Sequence, residues 1–530
     1  PSDQTFLATE TEMQMALASC YTALWTDFET MTFFLSFDEA ADIGYDRNTS
    51  ALQTMAQGAS DANSDLAKNY WKAFYAGIAK CNYLLQNMSR GKDNVAPATY
   101  TQIKAEAQFL RALYYSYLIE LYGDVPLITD VLTLETGQQP RNPKSEVVDF
   151  ILKEYTEAAE NLPSTNNPTS GHATKGAALA LKARTALYNE RWQEAISASQ
   201  AVMTMEGTEY IIEDDYSKLF KYEGQTSKEV IFSVQYLLGT KVHALYRLFG
   251  SRNALAHTNK KPAYQLADTW ECIDGKQIDK SPMFDPKHPY ENRDPRLGYT
   301  LAVSGSEFLG FQFETHGDST KCWNYMTNQR VDNLEATHAY ATFTGICWRK
   351  YANIEDKDAL NDCDMNTILI RYPEVLLTYA EAKIKVGEID ASVLEAINKV
   401  RQRPSVKMPP ITTTDPNELF YAVARERKYE FSGEGLRLFD IRRWKIAETV
   451  MNQPLLGRMK KSYPDKAPRI DEWGTAFYEG IPIAESGESA DFKMRIVDIR
   501  KFDKNRDYLW PIPYIERQTN PNLTQNPNYE

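Results

Sequence analysis

The sequence predicts a mainly α protein: helical hairpins form a scaffold, and loop-rich, weakly β insertions hang from it. Three observations carry this. Residues 105–130 read AEAQFLRALYYSYLIELYGDVPLITD, with Leu110, Leu113, Tyr114, Tyr117, Leu118 and Leu121 at helical spacing on one face. Residues 175–203 and 371–403 each read as an Ala-rich helix, a short turn and a second helix. Between them, about 213–368, short β-like runs (EVIFSVQY, GYTLAV, FLGFQF) sit among Gly, Pro, Asn and Asp.

In chain order, residues 9–36 open with Thr and acids, then carry Met15, Leu17, Tyr21, Leu24 and Trp25 at helical spacing. The polar stretch from Asp38 to about Asp65, with Gly44, Asn48, Gly58 and Asn63, reads as a long loop. A helix follows from about Leu66 to Ser89, carrying Trp71, Phe74, Ile78, Cys81 and Leu85. The 105–130 segment is the next helix; Gly123 can supply its left-handed end and Pro126 cannot continue it. VVDFILKEYTEAAENL is a fourth. The hairpins at 175–203 and 371–403 resemble tetratricopeptide-type units, whose small residues let paired helices approach closely. Since they lie far apart in the chain, an insertion must interrupt the array. The whole chain, 1–530, reads as one domain: scaffold at about 9–212 and 369–450, insertions at about 213–368 and 451–530.

The 530 residues carry 59 basic and 72 acidic side chains, a net charge of −13, which argues against nucleic acid or an anionic membrane surface as the main partner. No run of 18 apolar residues is present to span a bilayer. The start, PSDQTFLATETEM, has neither the basic nor the apolar region of a signal peptide. None of the six cysteines forms a CxxC and no His cluster accompanies them, so a zinc site is not expected. Cys20 and Cys81 read as core residues; the other four could pair in an oxidising compartment. No cofactor or metal is expected, and no GxSxG, HExxH, P-loop or GxGxxG occurs. DKNRD at 503–507 lacks the Gly and Glu of a calcium loop and reads as a turn. The six histidines are scattered, mostly in polar loops, and read as surface residues.

Seven segments in order then converge: WKAFYAGIAKCNYLL, AEAQFLRALYYSYLIELYGDVPLIT, KEVIFSVQY, NRDPRLGYTL, ILIRYPEVLLTYAEAKIKVG, RERKYEFSGEGLRLFDIRRW and YLWPIPYIERQTNPNLTQNPNY. Together they resemble the SusD/RagB family of outer-membrane lipoproteins, over roughly residues 9–530. The resemblance implies a SusD-like fold and a surface-exposed protein held by a lipidated cysteine that this sequence lacks. It further implies a non-enzyme that binds oligo- or polysaccharide and passes it to a SusC-like TonB-dependent transporter. A helical-repeat protein that only contacts or gates the transporter is the alternative, and a glycosidase a third.

Sugar binding needs flat aromatic faces for pyranose rings and amides, carboxylates or guanidinium groups for hydroxyls. Two loop regions supply them. One begins at Gly44 and offers Tyr45, Asp46, Arg47 and Asn48. The other spans 308–330, with Phe311, Trp323 and Tyr325 as platforms and Asn324, Asn328 and Arg330 as hydrogen-bonding partners. No position in either was carried over from a family motif. Trp71, Trp348 and Trp444 read as structural, and Arg442 and Arg443 as partners of nearby acids or carbonyls.

Overall fold

The computed structural model describes residues 6–487 and 491–529. Residues 1–5, the first part of the start read as lacking a leader, lie outside them. The scaffold helices are α1 (Glu10–Tyr21), α2 (Asp65–Asn87), α3 (Pro97–Tyr122), α4 (Lys144–Asn161), α5 (Lys175–Tyr188) and α6 (Trp192–Met203). After the first insertion come α7 (Tyr372–Lys385), α8 (Ala391–Arg401), α9 (Pro416–Phe431) and α10 (Arg437–Arg443). Helices α2 to α6 each pack on the next, and α7 packs on both α6 and α8. The two hairpins, distant in sequence, are therefore neighbours in one continuous array.

Helix α3 is the axis of that array. It is buried nearly all round rather than on one face, because α1, α2 and α4 each cover part of it. Its approach to α2 is close: a side chain on Gly77 would meet the Tyr114 ring at 2.6 Å. Gly123 ends it at φ +74, as the sequence predicts. The C-terminal tail then returns to this end. Trp510 N–H donates to the Leu121 carbonyl at 2.7 Å, and Asn526 Nδ2 donates to the Tyr122 carbonyl at 2.9 Å. Carbonyls that a helix end leaves open are thus closed by residues about 400 positions away.

Two expectations are corrected. The helix expected over 9–36 stops at Tyr21, and a short 3-10 turn (Thr22–Trp25) and a β-hairpin over 27–32 follow. The hydroxyls of Thr22 and Thr26 donate to the carbonyls of Ser19 and Ala23, a local bonding that competes with helix continuation. The loop expected over 38–65 holds a buried strand, β1 (Gly44–Asp46), and a short helix, Ala51–Ala56, capped by Ser50. Its polarity is structural: the buried Asp38 carboxylate accepts from the backbone N–H groups of Gly433, Gly435 and Arg437.

The first insertion is tied at its base. Strand β2 (Val230–Val234) pairs antiparallel with the strand Thr367–Arg371, which runs directly into α7. Behind this ladder lies a buried ionic network. Glu430 of α9 accepts from Arg371 at 2.6 Å, from Arg296 at 3.0 Å and from Arg403. Arg371 also bonds Glu229 and Glu434, each at 2.7 Å. Burial alone would raise the Glu430 pKa, but Arg403, Arg371 and Arg296 hold it at about 2.

The single tryptophans behave as read. Trp71 and Trp348 are buried, and Trp348 donates to Glu39 at 2.7 Å. Arg443 pairs with Glu381 and Asp440, and Arg442 donates to the Asp507 carbonyl. Residues 503–507 form a turn closed by Asp507 N–H on the Asp503 carbonyl. All six cysteines are free and buried, so the pairing held open for four of them is not formed. His243 departs from the surface reading: it is fully buried, with Nε2 2.9 Å from the Met365 carbonyl.

Replacing Glu430 by Gln leaves buried guanidinium charge uncompensated and is expected to cost about 3–5 kcal/mol at neutral pH, read by urea unfolding. The folded pKa lies below the unfolded value of 4.5, so the carboxylate's contribution is full above 4.5 and fades as pH falls toward 2. The gap between parent and E430Q must therefore narrow over that window; a gap unchanged at pH 3 would contradict the network.

Candidate functional site

The loop at 44–48 is held by backbone pairing. Strand β1 runs antiparallel to β3 (Lys260–Pro262), with Tyr45 opposite Lys261 and Asp46 opposite Lys260. Gly44 is required there, because a Cβ would lie 2.4 Å from the Asp38 carbonyl oxygen. Tyr45 turns inward against Ala263, Leu455, Phe343 and Val497. Asp46 is fully enclosed with Lys260 at 2.6 Å and also accepts from Asn48 N–H and the Ser50 hydroxyl. Arg47 is the residue that leaves the strand. Its Nη1 donates to the Tyr340 carbonyl at 3.0 Å, and its guanidinium lies 5.0 Å from the Tyr340 ring centre and 5.9 Å from that of Phe343.

The second region is a four-stranded antiparallel sheet: β4 (Glu307–Phe308), β5 (Phe311–Gln312), β6 (Lys321–Asn324) and β7 (Gln329–Asp332). Alternation sorts its side chains. Cys322 and Asn324 point inward and are buried; Lys321 and Trp323 point outward. Arg330 sits directly across from Trp323 and shares its outer face. Gln312 accepts from the Trp323 backbone N–H at 3.2 Å. Asn324 is consumed by the turn, accepting from the N–H groups of Met326 and Thr327, and Asn328 holds the turn at φ +54. Tyr325 and Met326, at the turn, are about half exposed.

The segment 250–258 links the two regions. Asn253 donates to the Asp332 carbonyl and accepts from Leu334 N–H, while Arg252 donates from Nη2 toward His338 and from Nη1 to the Ala256 carbonyl. The result is a cluster of like charge: Arg47, Arg247, Arg252 and Lys261, with His257 and His338. Burial, then Arg47, pulls Lys261 down to about 7, and among the described residues its Nζ has no hydrogen-bond partner, lying 4.7 Å from the Phe343 ring centre. Burial and the surrounding arginines likewise lower the pKa of both histidines. The nearby Glu335 is buried and spends its oxygens on the N–H groups of Arg252 and Thr342. Tyr340, 58% exposed, covers the cluster.

Of the eight residues singled out from sequence, Trp323, Tyr325, Asn328 and Arg330 reach the surface of one sheet, and Arg47 reaches the cationic cluster beside it. Tyr45 and Asn324 are buried, at 5% and 8% exposure, and Phe311 packs partly on the core, so these three offer little to a ligand. Asn324 is buried by strand alternation, Tyr45 because its whole strand is enclosed, and Phe311 because its ring packs against the core. Sequence reasoning passed over Arg252, His257, His338 and Tyr340. The signal was there in HAYATF at 338–343, where aromatics and His alternate in a polar segment, but its proximity to Arg47 depends on tertiary structure.

The family model described as "SusD family" matches residues 228–529, and one described as "Starch-binding associating with outer membrane" matches residues 2–187. The chain belongs to the SusD family. It is similar to SusD-like protein P2 of Formosa agariphila, 24% identical, over 99% of this chain and 94% of that one. A SusD-like protein of Bacteroides ovatus is 23% identical over 99% and 92%. Among solved structures, a SusD-like carbohydrate binding protein from Bacteroides fragilis is 29% identical with a TM-score of 0.83, over 98% of this chain and 100% of that one. A laminarin binding SusD-like protein shares the fold at 19% identity and TM-score 0.69, over 98% and 100%. Among the described residues, no helix is long and apolar enough to cross a membrane.

Lys261 gives this face a test of its own. Its folded pKa lies below the unfolded value of 10.5, so stability is lost as pH falls from there toward 7. Lys261→Met removes an unpartnered buried amine and should stabilise the protein by roughly 1–3 kcal/mol at pH 7 in denaturant melts. Destabilisation instead would show that the amine has a partner.

Proposed function

We propose that this protein is a non-catalytic carbohydrate-binding protein of the outer-membrane surface. In this reading it captures oligo- or polysaccharide on the face formed by the 308–330 sheet and the Arg47–Tyr340 cluster, and delivers it to a SusC-like TonB-dependent transporter. A lipid anchor on a cysteine outside this sequence would hold it at the membrane. The observation that carries the reading is the outer face of the sheet. There the partly open ring of Trp323 stands beside Arg330 and Gln312, with the half-exposed Tyr325 at the adjoining turn, while exposed Tyr340 lies against Arg47 in the cationic cluster. Flat rings next to planar donors suit the two sides of a sugar, its C–H face and its hydroxyls. Family membership and the carbohydrate-binding relative at 29% identity support the same reading.

Affinity electrophoresis against a polysaccharide panel tests it. A glycan that retards the parent should bind Trp323→Ala roughly tenfold more weakly, about 1.4 kcal/mol, with an unchanged melting temperature. Retardation by no glycan, combined with co-purification of a large β-barrel, would leave a protein that serves the transporter alone. Release of reducing sugar would show an enzyme.

A further inference from the structure

A second aromatic surface lies in the scaffold, and it shares no residue with the face above. A cleft of about 560 Å3 opens between the α5–α6 turn, the end of α7, α9, the end of α10 and the loops at 471–474 and 508–509. That volume falls within the range of small-ligand clefts, about 300–1,000 Å3. Its walls include Trp192, Trp444, Trp473, Phe420 and Tyr508, all half-buried. Trp444 is committed: its indole donates to Glu381 at 2.9 Å, and the Arg443 guanidinium lies 4.5 Å from its ring centre. Lys385 covers Phe420 at 3.9 Å, and Lys445 covers Tyr508 at 4.3 Å. Trp192 and Trp473 are different. Among the described residues, no cation lies over either ring and neither indole N–H has a protein acceptor; Trp473 packs edge-to-face on Phe420 and Tyr421, at 5.6 and 4.9 Å, and beside Trp444, whereas the Trp192 ring meets no other aromatic ring.

The charge of the cleft is also unusual for this chain. Arg443 is neutralised by Glu381 and Asp440, and Lys144 by Glu120. That leaves Lys385, Lys445 and Arg442 against Glu190. Arg442 is 8% exposed, forms no carboxylate pair among the described residues, and has neither Nε nor Nη1 bonded to an acceptor. A net-positive aromatic cleft in a protein of net charge −13 selects for a ligand with both a flat apolar face and negative charge.

We propose that this cleft binds a short acidic oligosaccharide, with a pyranose ring stacked on Trp192, a hydroxyl accepting from the Trp473 indole N–H and a carboxylate held by Lys385 and Lys445. The inference rests on the carbohydrate-binding reading for its ligand class and adds a separate site and a charge preference. The open Trp192 ring serves the sugar's C–H face and the two unbonded indole donors its hydroxyls; the lysines, already placed over Phe420 and Tyr508, need little reordering to meet a carboxylate.

Titration calorimetry with three uronate trimers (galacturonate, glucuronate and mannuronate) and a neutral galactose trimer tests the site. At least one uronate trimer should bind the parent, and the neutral trimer should bind at least fivefold more weakly. Lys385→Glu combined with Lys445→Glu, both at exposed positions, should weaken the uronate roughly tenfold or more with an unchanged melting temperature. Trp473→Ala should do the same, and Trp323→Ala should leave it unchanged. No binding by any of the three uronates overturns the proposal, as does equal binding by the double charge variant and W473A. If the parent is still retarded by a polysaccharide through Trp323, the cleft alone is disproved; if no carbohydrate binds in either assay, both readings fall.

Discussion

The buried contact between Glu430 and three arginines is the constraint on which the rest of the molecule depends. Glu430 lies on α9, Arg371 at the end of the strand entering α7, Arg296 inside the first insertion and Arg403 after α8. Each group is essentially without solvent, so each charge must find its counter-charge or destabilise the fold by several kcal/mol. The neighbouring pairs extend the demand: Arg371 with Glu229 and Glu434, Arg401 with Glu271 and Glu426, Lys350 with Glu434. Apolar packing tolerates many arrangements of similar volume. A directional network drawn from segments this far apart closes in one arrangement, in which the insertion sits against α9.

That closure positions the candidate glycan face. The ladder between Val230–Val234 and Thr367–Arg371 pins the entrance and exit of the first insertion to α7, and the ionic network anchors its middle through Arg296. The loop at 44–48, from the N-terminal part of the chain, is brought in by two separate devices: the β1–β3 ladder and the Asp38 carboxylate, which gathers three backbone N–H groups from 433–437. A surface assembled from three distant stretches can vary at its tips, Tyr340 or Tyr325, while the ladders and the network hold their bases.

The helical scaffold was legible because its signal is local. Apolar spacing in α2, α3 and α4, the small residues of α5 and the stop at Gly123 are each contained within one turn or two. Long-range charge was not legible. Within RERKYEFSGEGLRLFDIRRW, Glu426, Arg427, Glu430, Glu434, Arg437 and Asp440 are all buried; Arg427 and Asp440 pair with each other, but Glu426, Glu430, Glu434 and Arg437 find partners elsewhere in the chain, which spacing does not reveal. The site residues divide on the same line. Trp323 and Arg330 could be chosen from composition alone. Tyr45 could not be rejected without knowing that its strand is enclosed, nor Asn324 without knowing that it sits on the inner side of one. Arg252 and His338 could not be proposed without knowing that they meet Arg47.

The two aromatic surfaces share a property that overall composition conceals. The chain is acidic by 13 charges, yet the Arg47–Arg252–Lys261 cluster and the cleft at Lys385 and Lys445 are both cationic. Much of the excess acid is spread over exposed surface, where its field is screened within about 8 Å at physiological ionic strength. At contact distance, the local lysines and arginines decide, and they do so over flat rings and partly dehydrated groups where screening is weak. A negative polymer approaching this protein gains nothing from its net charge until it touches one of these two places. In the proposed reading, the same distribution that discourages indiscriminate association with anions concentrates recognition where a ring face and a cation coincide.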